Sequence, residues 1–194
     1  MRKRHATRIL IVTLAAAAGF ALLHGCALDR PFAPDDVAAS ATPASVLDAL
    51  RNAYESMSLD AYANLLHRDF HFVFADPGKA PFDRGADLAS TGRMFSGVAQ
   101  KNSAGQDAPA VAGVAFARLE ILGGWERVTG DEVTWSGEAD VMRALIQYRF
   151  ALRLERGGRI CASGRQVVYA VAVETEDWDG SLYWRWQLLG QRDL

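Results

Sequence analysis

The sequence has few of the residues on which many enzyme mechanisms and metal sites depend. Its 194 residues include two cysteines and four histidines. They contain no Cys-x-x-Cys pair, no glycine-rich phosphate-binding motif and no Gly-x-Ser-x-Gly sequence. These absences exclude a dithiol oxidoreductase, a P-loop nucleotide site and a hydrolase with a nucleophile elbow.

Residues 1–25 have the composition of a bacterial lipoprotein signal peptide. Four cations between positions 2 and 8 precede an uncharged stretch, Ile9–Leu23, which is shorter than the roughly 20 residues of a membrane-spanning helix. The next residues, Leu23-His24-Gly25-Cys26, resemble a lipobox, and this resemblance implies lipidation at Cys26. Ala27 after the cysteine then implies anchoring at the outer membrane, facing the periplasm. An ordinary secretory signal or an uncleaved anchor remains the alternative.

The mature chain is predicted to be one acidic domain on a tether. Removal of the signal leaves 17 basic against 23 acidic residues without a basic run, so we expect no nucleic-acid partner. Residues 26–41 contain prolines, alanines and aspartates without periodicity, which predicts a flexible tether before a domain at 42–194. A lipidated Cys26 cannot form a disulfide, so we expect a free thiol at Cys161.

The segment Thr42–Ala75 predicts two helices followed by a strand. Thr42 is expected to cap the first helix with Pro43 at its first position, and Ser58 is expected to cap the second. Apolar residues at helical spacing form the two inner faces, namely Val46, Leu47, Leu50, Tyr54 and Met57, then Leu59, Tyr62, Leu65 and Leu66. The period then becomes two, and the predicted strand has Phe70, Phe72 and Phe74 on one face.

The sequence of residues 53–74, AYESMSLDAYANLLHRDFHFVF, resembles the opening of nuclear transport factor 2-like domains. This superfamily includes ketosteroid isomerase, scytalone dehydratase and the SnoaL-like cyclases. The resemblance implies an α+β, cystatin-like fold in which a curved mixed or antiparallel sheet wraps as a cone over N-terminal helices. It implies fold more strongly than function, because the superfamily contains both enzymes and binding modules. A homodimer is common among these relatives.

The remaining chain is predicted to contain one helix, a mobile loop and several strands. A helix through Phe95 is expected to begin at Asp83 or Asp87, and a mobile loop is expected over Val98–Gly113. The clearest alternation, Ile146–Leu154, predicts that Tyr148, Phe150 and Leu152 are buried while Arg149 and Arg153 are exposed. The other predicted strands are Val114–Val128 with a bend at Gly123-Gly124, Arg165–Thr175, and Leu182–Leu188 with Leu182, Trp184, Trp186 and Leu188 on one face.

Asp76 is the residue that lies nearest to a catalytic position implied by the resemblance. In ketosteroid isomerases an aspartate near the end of the first strand is the base, and Asp76 stands two residues later. The isomerase tyrosine of the first helix has no counterpart at the matching position, Leu50. The alternative is that Asp76 only forms a turn before Pro77.

Aromatic residues are the other candidates for a site. Residues that could line a pocket for a flat apolar ligand are Tyr54, Phe72, Phe74, Tyr148, Trp184 and Trp186. The alternative is that they only fill the core. His67 and His71 have no third ligand nearby in sequence, and Glu138 and Asp140 are more typical of a solvated strand face, so we expect neither a metal nor a cofactor.

We therefore expect a lipid-anchored envelope protein whose nuclear transport factor 2-like domain binds a small apolar ligand or a partner protein without catalysis. The alternative is a cofactor-independent isomerase, dehydratase or cyclase that uses a pocket carboxylate, Asp76. A purely structural envelope protein is a third class.

Lipidation at Cys26 gives the first testable prediction. Two acyl chains anchor a protein stably, because each buried methylene contributes about 0.8 kcal/mol. Intact-mass spectrometry of membrane-extracted protein is expected to show the lipid on Cys26 as the first residue. An unmodified protein in the soluble periplasm, or an N-terminus beyond Cys26, would contradict the prediction.

Overall fold

The computed structural model describes residues 42–101, 107–128, 132–133, 136–138, 140–176 and 180–194. The predicted signal peptide and tether lie outside these residues. Within the described ranges, no helix is both long and apolar enough to cross a membrane.

Three helices form one layer of the domain: α1 (Ser45–Glu55), α2 (Leu59–Leu65) and α3 (Arg84–Phe95). The predicted start of α1 is wrong, because the helix begins after Ala44 without a side-chain cap, and the carbonyl oxygens of Thr42 and Pro43 instead accept hydrogen bonds in the preceding turn. The predicted caps of α2 and α3 are confirmed. The side chains of Ser58 and Asp83 accept hydrogen bonds from backbone N–H groups of the first turns.

The helices bury most of the predicted apolar positions, and the first strand follows at once. Leu59 is an exception at 38% exposed. Met57 is another, because α1 ends before it and its φ is +52°, outside the helical range. The strand β1 (Leu66–Val73) begins where the helix was expected to end, and β2 (Phe82–Asp83) pairs with it. The alternating phenylalanines Phe70, Phe72 and Phe74 are all buried, as predicted.

The main sheet is curved and has the strand order β2-β1-β9-β8-β7-β5, with β6 beside the start of β7. Its remaining strands are β5 (Val111–Ile121), β6 (Glu126–Arg127), β7 (Val141–Leu154), β8 (Arg159–Glu176) and β9 (Leu182–Asp193). Strands β1 and β9 are parallel and the other pairs are antiparallel. The helices pack on the inner face of this sheet around one large core, so the predicted α+β fold is confirmed.

Two predictions for the middle of the chain are corrected by the structure. The segment Val98–Gly113 is not a single loop among its described residues, because it contains β3 (Gln100–Lys101), β4 (Asp107–Ala108) and the start of β5. The single strand expected over Val114–Val128 is two strands, β5 and β6. They separate at the predicted bend, where Gly123 has a φ of +100° that favours glycine.

The register predicted for β7 is confirmed. Tyr148, Phe150 and Leu152 are buried, whereas Arg149 and Arg153 are exposed. Ala151 is also buried although it lies on the opposite face. The following hairpin turns at Gly157 and Gly158, both with positive φ.

A β-bulge in β9 changes which side chains face the core. Leu188 pairs with Ala170, but Gly190 pairs with Tyr169, so Leu189 is an extra residue. Before the bulge the predicted alternation holds only in part, because Leu188 is fully buried while Leu182 and Trp184 are each 63% exposed.

The expectation of a free thiol at Cys161 is wrong. Cys161 lies exposed on β8 and is disulfide-bonded. The chain has one other cysteine, Cys26, which lies outside the described residues.

A second, smaller apolar cluster covers part of the outer face of the sheet. It consists of Val141, Tyr169, Val171 and Leu189, with Val128 and Val133 among the residues packed against them. The Tyr169 hydroxyl donates to Glu132 at 2.8 Å and fixes this segment on the sheet. The homodimer considered from the resemblance stays a prediction.

The burial pattern of β7 predicts a large difference between two alanine substitutions. Phe150→Ala is expected to lower the free energy of unfolding by about 3–5 kcal/mol, because it removes a buried aromatic ring. Arg153→Ala is expected to cost less than about 1 kcal/mol, because its hydrogen bond to the Ala112 carbonyl is exposed. Urea denaturation measures both, and equal losses would show that the register is wrong.

Candidate functional site

Four polar side chains lie on the inner face of the sheet, at the end where β1 and β9 finish. We call Tyr148, Gln166, Gln191 and Asp193 the inner polar cluster. The register places Gln166 opposite Asp193 and two residue pairs away from Tyr148, on the same face. Gln191 lies beside Phe72 of β1. All four side chains are buried, so the cluster is a polar island in an apolar core.

Asp193 is the ionisable centre of the cluster. Its Oδ1 accepts a hydrogen bond of 2.6 Å from Nε2 of Gln166, whereas its Oδ2 is buried without a protein partner among the described residues. Burial raises the pKa of this carboxyl, and the Gln166 amide and the charge of Lys79 oppose the rise. A carboxyl with this environment holds its proton more readily than an exposed one.

Gln191 supplies an amide that the protein itself does not use. The side chain is 1% exposed, and neither its Nε2 nor its Oε1 has a hydrogen-bond partner within the described ranges. The Oε1 atom of Gln166 is also buried without a hydrogen-bond partner among the described residues. Buried amide groups are nearly always hydrogen-bonded because an unmade bond costs about 1–3 kcal/mol. The cluster therefore contains one amide donor group and several acceptors that have no protein partner within the described ranges.

Tyr148 completes the cluster with a neutral hydroxyl. Burial, and then the nearby charge of Asp193, raise the pKa of this phenol. The side chain lies across the opposite strand at Gly164, where a Cβ would stand 2.7 Å from the hydroxyl oxygen. Only glycine leaves room for this placement, so Gly164 fixes the tyrosine position.

Aromatic rings and one cation surround the cluster at the end of β1. The rings of Phe72 and Phe74 are 4.9 Å apart between centroids, and Phe82 lies 5.1 Å from Phe74. The Nζ atom of Lys79 lies 4.7 Å from the centre of the Phe74 ring. The boundary of the cluster is therefore largely apolar, and the charge of Lys79 acts on Asp193.

A second buried acid lies in the helix layer. Asp87 of α3 and Tyr62 of α2 are both fully buried, and the tyrosine hydroxyl donates to Oδ2 of Asp87 at 2.7 Å. Burial raises the pKa of Asp87 to about 7, against the opposing effect of the Tyr62 hydrogen bond. The ring of Tyr54 packs edge-on against Tyr62. A carboxyl with this pKa titrates near neutral pH.

The structure brings some of the predicted pocket residues to the cluster and separates others from it. Phe72, Phe74 and Tyr148 lie in or beside the inner polar cluster. Tyr54 is buried in the helix layer against Tyr62, Phe95 and Phe116. Trp186 packs on the core from its edge, and Trp184 lies exposed toward the opposite end of β9.

Asp76 does not lie in the interior. Its side chain is exposed, and its Oδ1 accepts a hydrogen bond of 3.0 Å from the N–H of Gly78. This geometry is the turn that the alternative interpretation describes. The structure thus gives the base interpretation of Asp76 no support and places another carboxyl, Asp193, inside.

Of the histidines and acids considered in the sequence, His67 and Glu138 lie close together near the start of β1, beside Asp69. The N–H of Asp69 donates to Nδ1 of His67, which leaves the proton on Nε2, 3.5 Å from Glu138. Burial lowers the pKa of His67. His67, Asp69 and Glu138 are close enough to hold a metal, but this tautomer aims an N–H at Glu138 and does not fit a metal ligand.

His71 and Asp140 each contact a nearby residue instead. His71 lies 3.0 Å through Nδ1 from the carbonyl oxygen of Asp69. Asp140 is exposed and forms an ion pair with Arg127. Neither side chain belongs to the inner polar cluster.

Four functional candidates were not found from the sequence, namely Asp87, Gln166, Gln191 and Asp193. Gln166 stands in a strand that is otherwise apolar on both faces, and this was the one available signal for it. Continuation of the β9 alternation past Leu188 would place Gln191 and Asp193 outside. The bulge at Leu189 reverses that assignment.

No family model and no curated protein matches the sequence. Solved structures that resemble the chain include an NTF2-like protein of unknown function in nutrient uptake from Rhodospirillum rubrum, with 14% identity, a TM-score of 0.45 and coverage of 78% of this chain and 95% of that one. Another is a ketosteroid isomerase-like protein from Erwinia carotovora atroseptica, with 14% identity, a TM-score of 0.43 and coverage of 77% and 90%. An NTF2-like protein of unknown function from Exiguobacterium shows 12% identity, a TM-score of 0.40 and coverage of 77% and 96%. Such distant likenesses say nothing of what this chain binds.

The pKa of Asp87 predicts how stability depends on pH. The folded-state value of about 7 exceeds the ordinary value of 3.8, so the folded protein retains a proton that the unfolded chain loses. The resulting stabilisation is fully present below pH 3.8 and is lost as pH rises through 7. At about 1.4 kcal/mol per pH unit, the loss is on the order of 4 kcal/mol.

Urea denaturation between pH 4 and pH 8 measures this loss. Asp87→Asn keeps the shape of the side chain and is expected to remove most of the decline. Asp83→Asn, at the exposed cap of the same helix, is expected to retain the wild-type profile. An unchanged decline in Asp87→Asn would show that another group causes it.

Proposed function

We propose that this domain is a non-catalytic binding module for a small, mainly apolar ligand, held in the cell envelope by a lipid on Cys26. The observation that supports ligand binding is the free amide of Gln191 beside the free Oδ2 of Asp193, both buried among aromatic rings. Such groups are costly in a purely structural core.

The chemistry of the cluster defines the ligand class. Phe72 and Phe74 favour a flat apolar body. Gln191 can donate through Nε2 and accept through Oε1, and Asp193 can accept at Oδ2. A neutral hydroxyl, carbonyl or amide on the ligand matches this set, because each can pair with an amide atom of Gln191 and donate to or accept from the Asp193 carboxyl.

A second candidate function is a cofactor-independent isomerase or dehydratase. The observation that favours it is the raised pKa of Asp193 next to the neutral hydroxyl of Tyr148. Asp193 would take the proton-transfer role that the sequence assigned to Asp76, and Tyr148 would donate to developing negative charge. We rank binding first because the enzyme requires both groups to reach the same reacting atoms.

The envelope location rests on the signal-like residues 1–25 and on the Cys26 junction. A sulfur that carries a diacylglyceryl group has no thiol left for a disulfide, so lipidation at Cys26 and a bridge from it exclude each other. Because the chain has two cysteines, a lipid on Cys26 requires that the disulfide at Cys161 join a cysteine of another molecule. A Cys26 peptide found linked to Cys161 by mass spectrometry would contradict this part of the proposal.

A pair of glutamine substitutions tests the binding function. Gln191→Leu removes two unpaired buried polar atoms, so we expect the free energy of unfolding to rise by about 1–2 kcal/mol. The wild-type protein is first screened against a panel of phenols and cyclic ketones. For a compound that binds, we expect the affinity of the Gln191→Leu variant to be at least tenfold lower. Ligand-observed NMR measures the affinity, and urea denaturation measures the stability.

Gln187→Leu is the matched control on the same strand. Nε2 of Gln187 donates to the Asn64 carbonyl at 3.0 Å, so this variant is expected to be less stable with unchanged affinity. A Gln191→Leu variant that is destabilised, or that binds the panel as the wild type does, would contradict the proposal. Asp193→Asn separates the two candidate functions. If the domain is an enzyme, this variant is expected to bind the ligand but to lose turnover.

A further inference from the structure

A groove of about 750 Å³ lies at the other end of β9 from the inner polar cluster. Its walls are the end of α2, the start of β1 and the facing ends of β8 and β9. The pairing of β1 with β9 begins only at Leu66 and Leu188. The earlier residues of β9 therefore have no strand beside them on this side among the described residues, and the groove follows that edge. Six residues of strand, roughly 20 Å, separate Gln187 from Asp193.

Arg185 lines the groove with an unused guanidinium group. Its side chain has no hydrogen bond or ion pair within the part of the chain that the structure describes, and its Nε is buried. Arg84 also lines the groove, and its Nε is likewise buried without a partner. Guanidinium donors that are removed from water without a partner are costly, so both groups are prepared for an anionic acceptor.

Hydrogen bonds to the end of α2 place Arg84 beside β9. A terminal nitrogen of Arg84 donates to the Ala63 carbonyl at 2.8 Å, and Gln187 donates to the next carbonyl, that of Asn64. Arg84 and Gln187 therefore lie side by side. Arg185 is two residues from Gln187 on the same face of β9, roughly 7 Å away. Both guanidinium groups thus belong to one wall of the groove.

Three acids also line the groove: Glu138, Glu174 and Glu176. Glu138 lies 3.5 Å from His67 and 3.6 Å from Arg68. Glu174 pairs with Trp184 and Glu176 with Leu182 across the two strands. These positions are on the opposite face of the sheet from Arg185, because successive residues of a strand alternate.

We propose that this groove is a second binding site, for a small ligand whose carboxylate or phosphate group is held by Arg84 and Arg185. Arginine is suited to this task because its planar donors match the oxygens of either group in pairs. The site is separate from the inner polar cluster, and its ligand is of the opposite chemical type. The groove would bind a charged group of its ligand, whereas the inner polar cluster would bind a neutral one.

Titrations with three probes of similar size test the site. We expect benzoate or phenyl phosphate to bind at least tenfold more tightly than benzyl alcohol at low ionic strength, and the tighter of the two identifies the oxyanion. Binding is followed by the Nε–Hε NMR signals of the arginines, which are expected to shift for Arg84 and Arg185. Added sodium chloride is expected to weaken the complex.

Substitutions distinguish this site from general charge attraction. Arg185→Gln is expected to lower oxyanion affinity at least tenfold without loss of stability, and Arg185→Lys is expected to restore part of it. Arg156→Gln, at the exposed hairpin after β7, removes the same charge and is expected to have no effect.

Three outcomes would overturn the proposal: equal binding of benzyl alcohol, an unchanged affinity in Arg185→Gln, or an equal loss in Arg156→Gln. Gln191→Leu is expected to leave oxyanion binding unchanged. The test therefore stands or falls independently of the proposed function of the interior.

Discussion

The extra residue at Leu189 is the constraint on which the interior of this protein depends. Alternate side chains of a strand face the helices. The extra residue at the bulge exchanges the inward and outward positions of the residues that follow it. Gln191 and Asp193 therefore face inward. Without the bulge Arg192 would enter the apolar core. With it, the guanidinium of Arg192 lies 5.9 Å from the Tyr169 ring on the outer face.

The same strand connects the two sites. β9 lies between β1 and β8, so its end is enclosed by the sheet and the helix layer, and polar groups there are buried. Its beginning extends past the start of β1, and the side chains there border a groove. Burial favours neutral hydrogen bonding at Gln191, whereas partial access to water permits charged recognition at Arg185. Both sites leave polar atoms without protein partners, at a cost in stability.

The sequence was sufficient for the fold class and for most of the helix and strand positions. Helical spacing and capping residues predicted α2 and α3, and strict alternation predicted the register of β7. The start of α1 was missed because the turn at Thr42 and Pro43 has the composition of a helix cap. Such predictions succeed where local preference and burial agree.

The candidate site was less accessible to sequence reasoning, because it depends on contacts between distant segments. A bulge leaves no clear composition signal at Leu188-Leu189-Gly190, so the inward direction of Asp193 could not be read from alternation. Asp87 was one of two alternative caps for α3 in the sequence. Its burial depends on packing against Tyr62, which lies 25 residues earlier in the chain. Asp76 was considered as a base because of its place in a resemblance, with a turn as the alternative, and its side chain lies in such a turn at the surface.

The central claim is that the inner polar cluster binds a neutral ligand through Gln191 and Asp193. The most direct measurement is a ligand titration followed by NMR of the side-chain amide of Gln191 and the carboxyl carbon of Asp193, with a phenol or cyclic ketone as the ligand. The account predicts saturable shifts of both signals, while the side-chain amide of Gln187 stays in place. Binding that leaves both cluster signals unmoved, or that shifts the Gln187 signal alone, would contradict it.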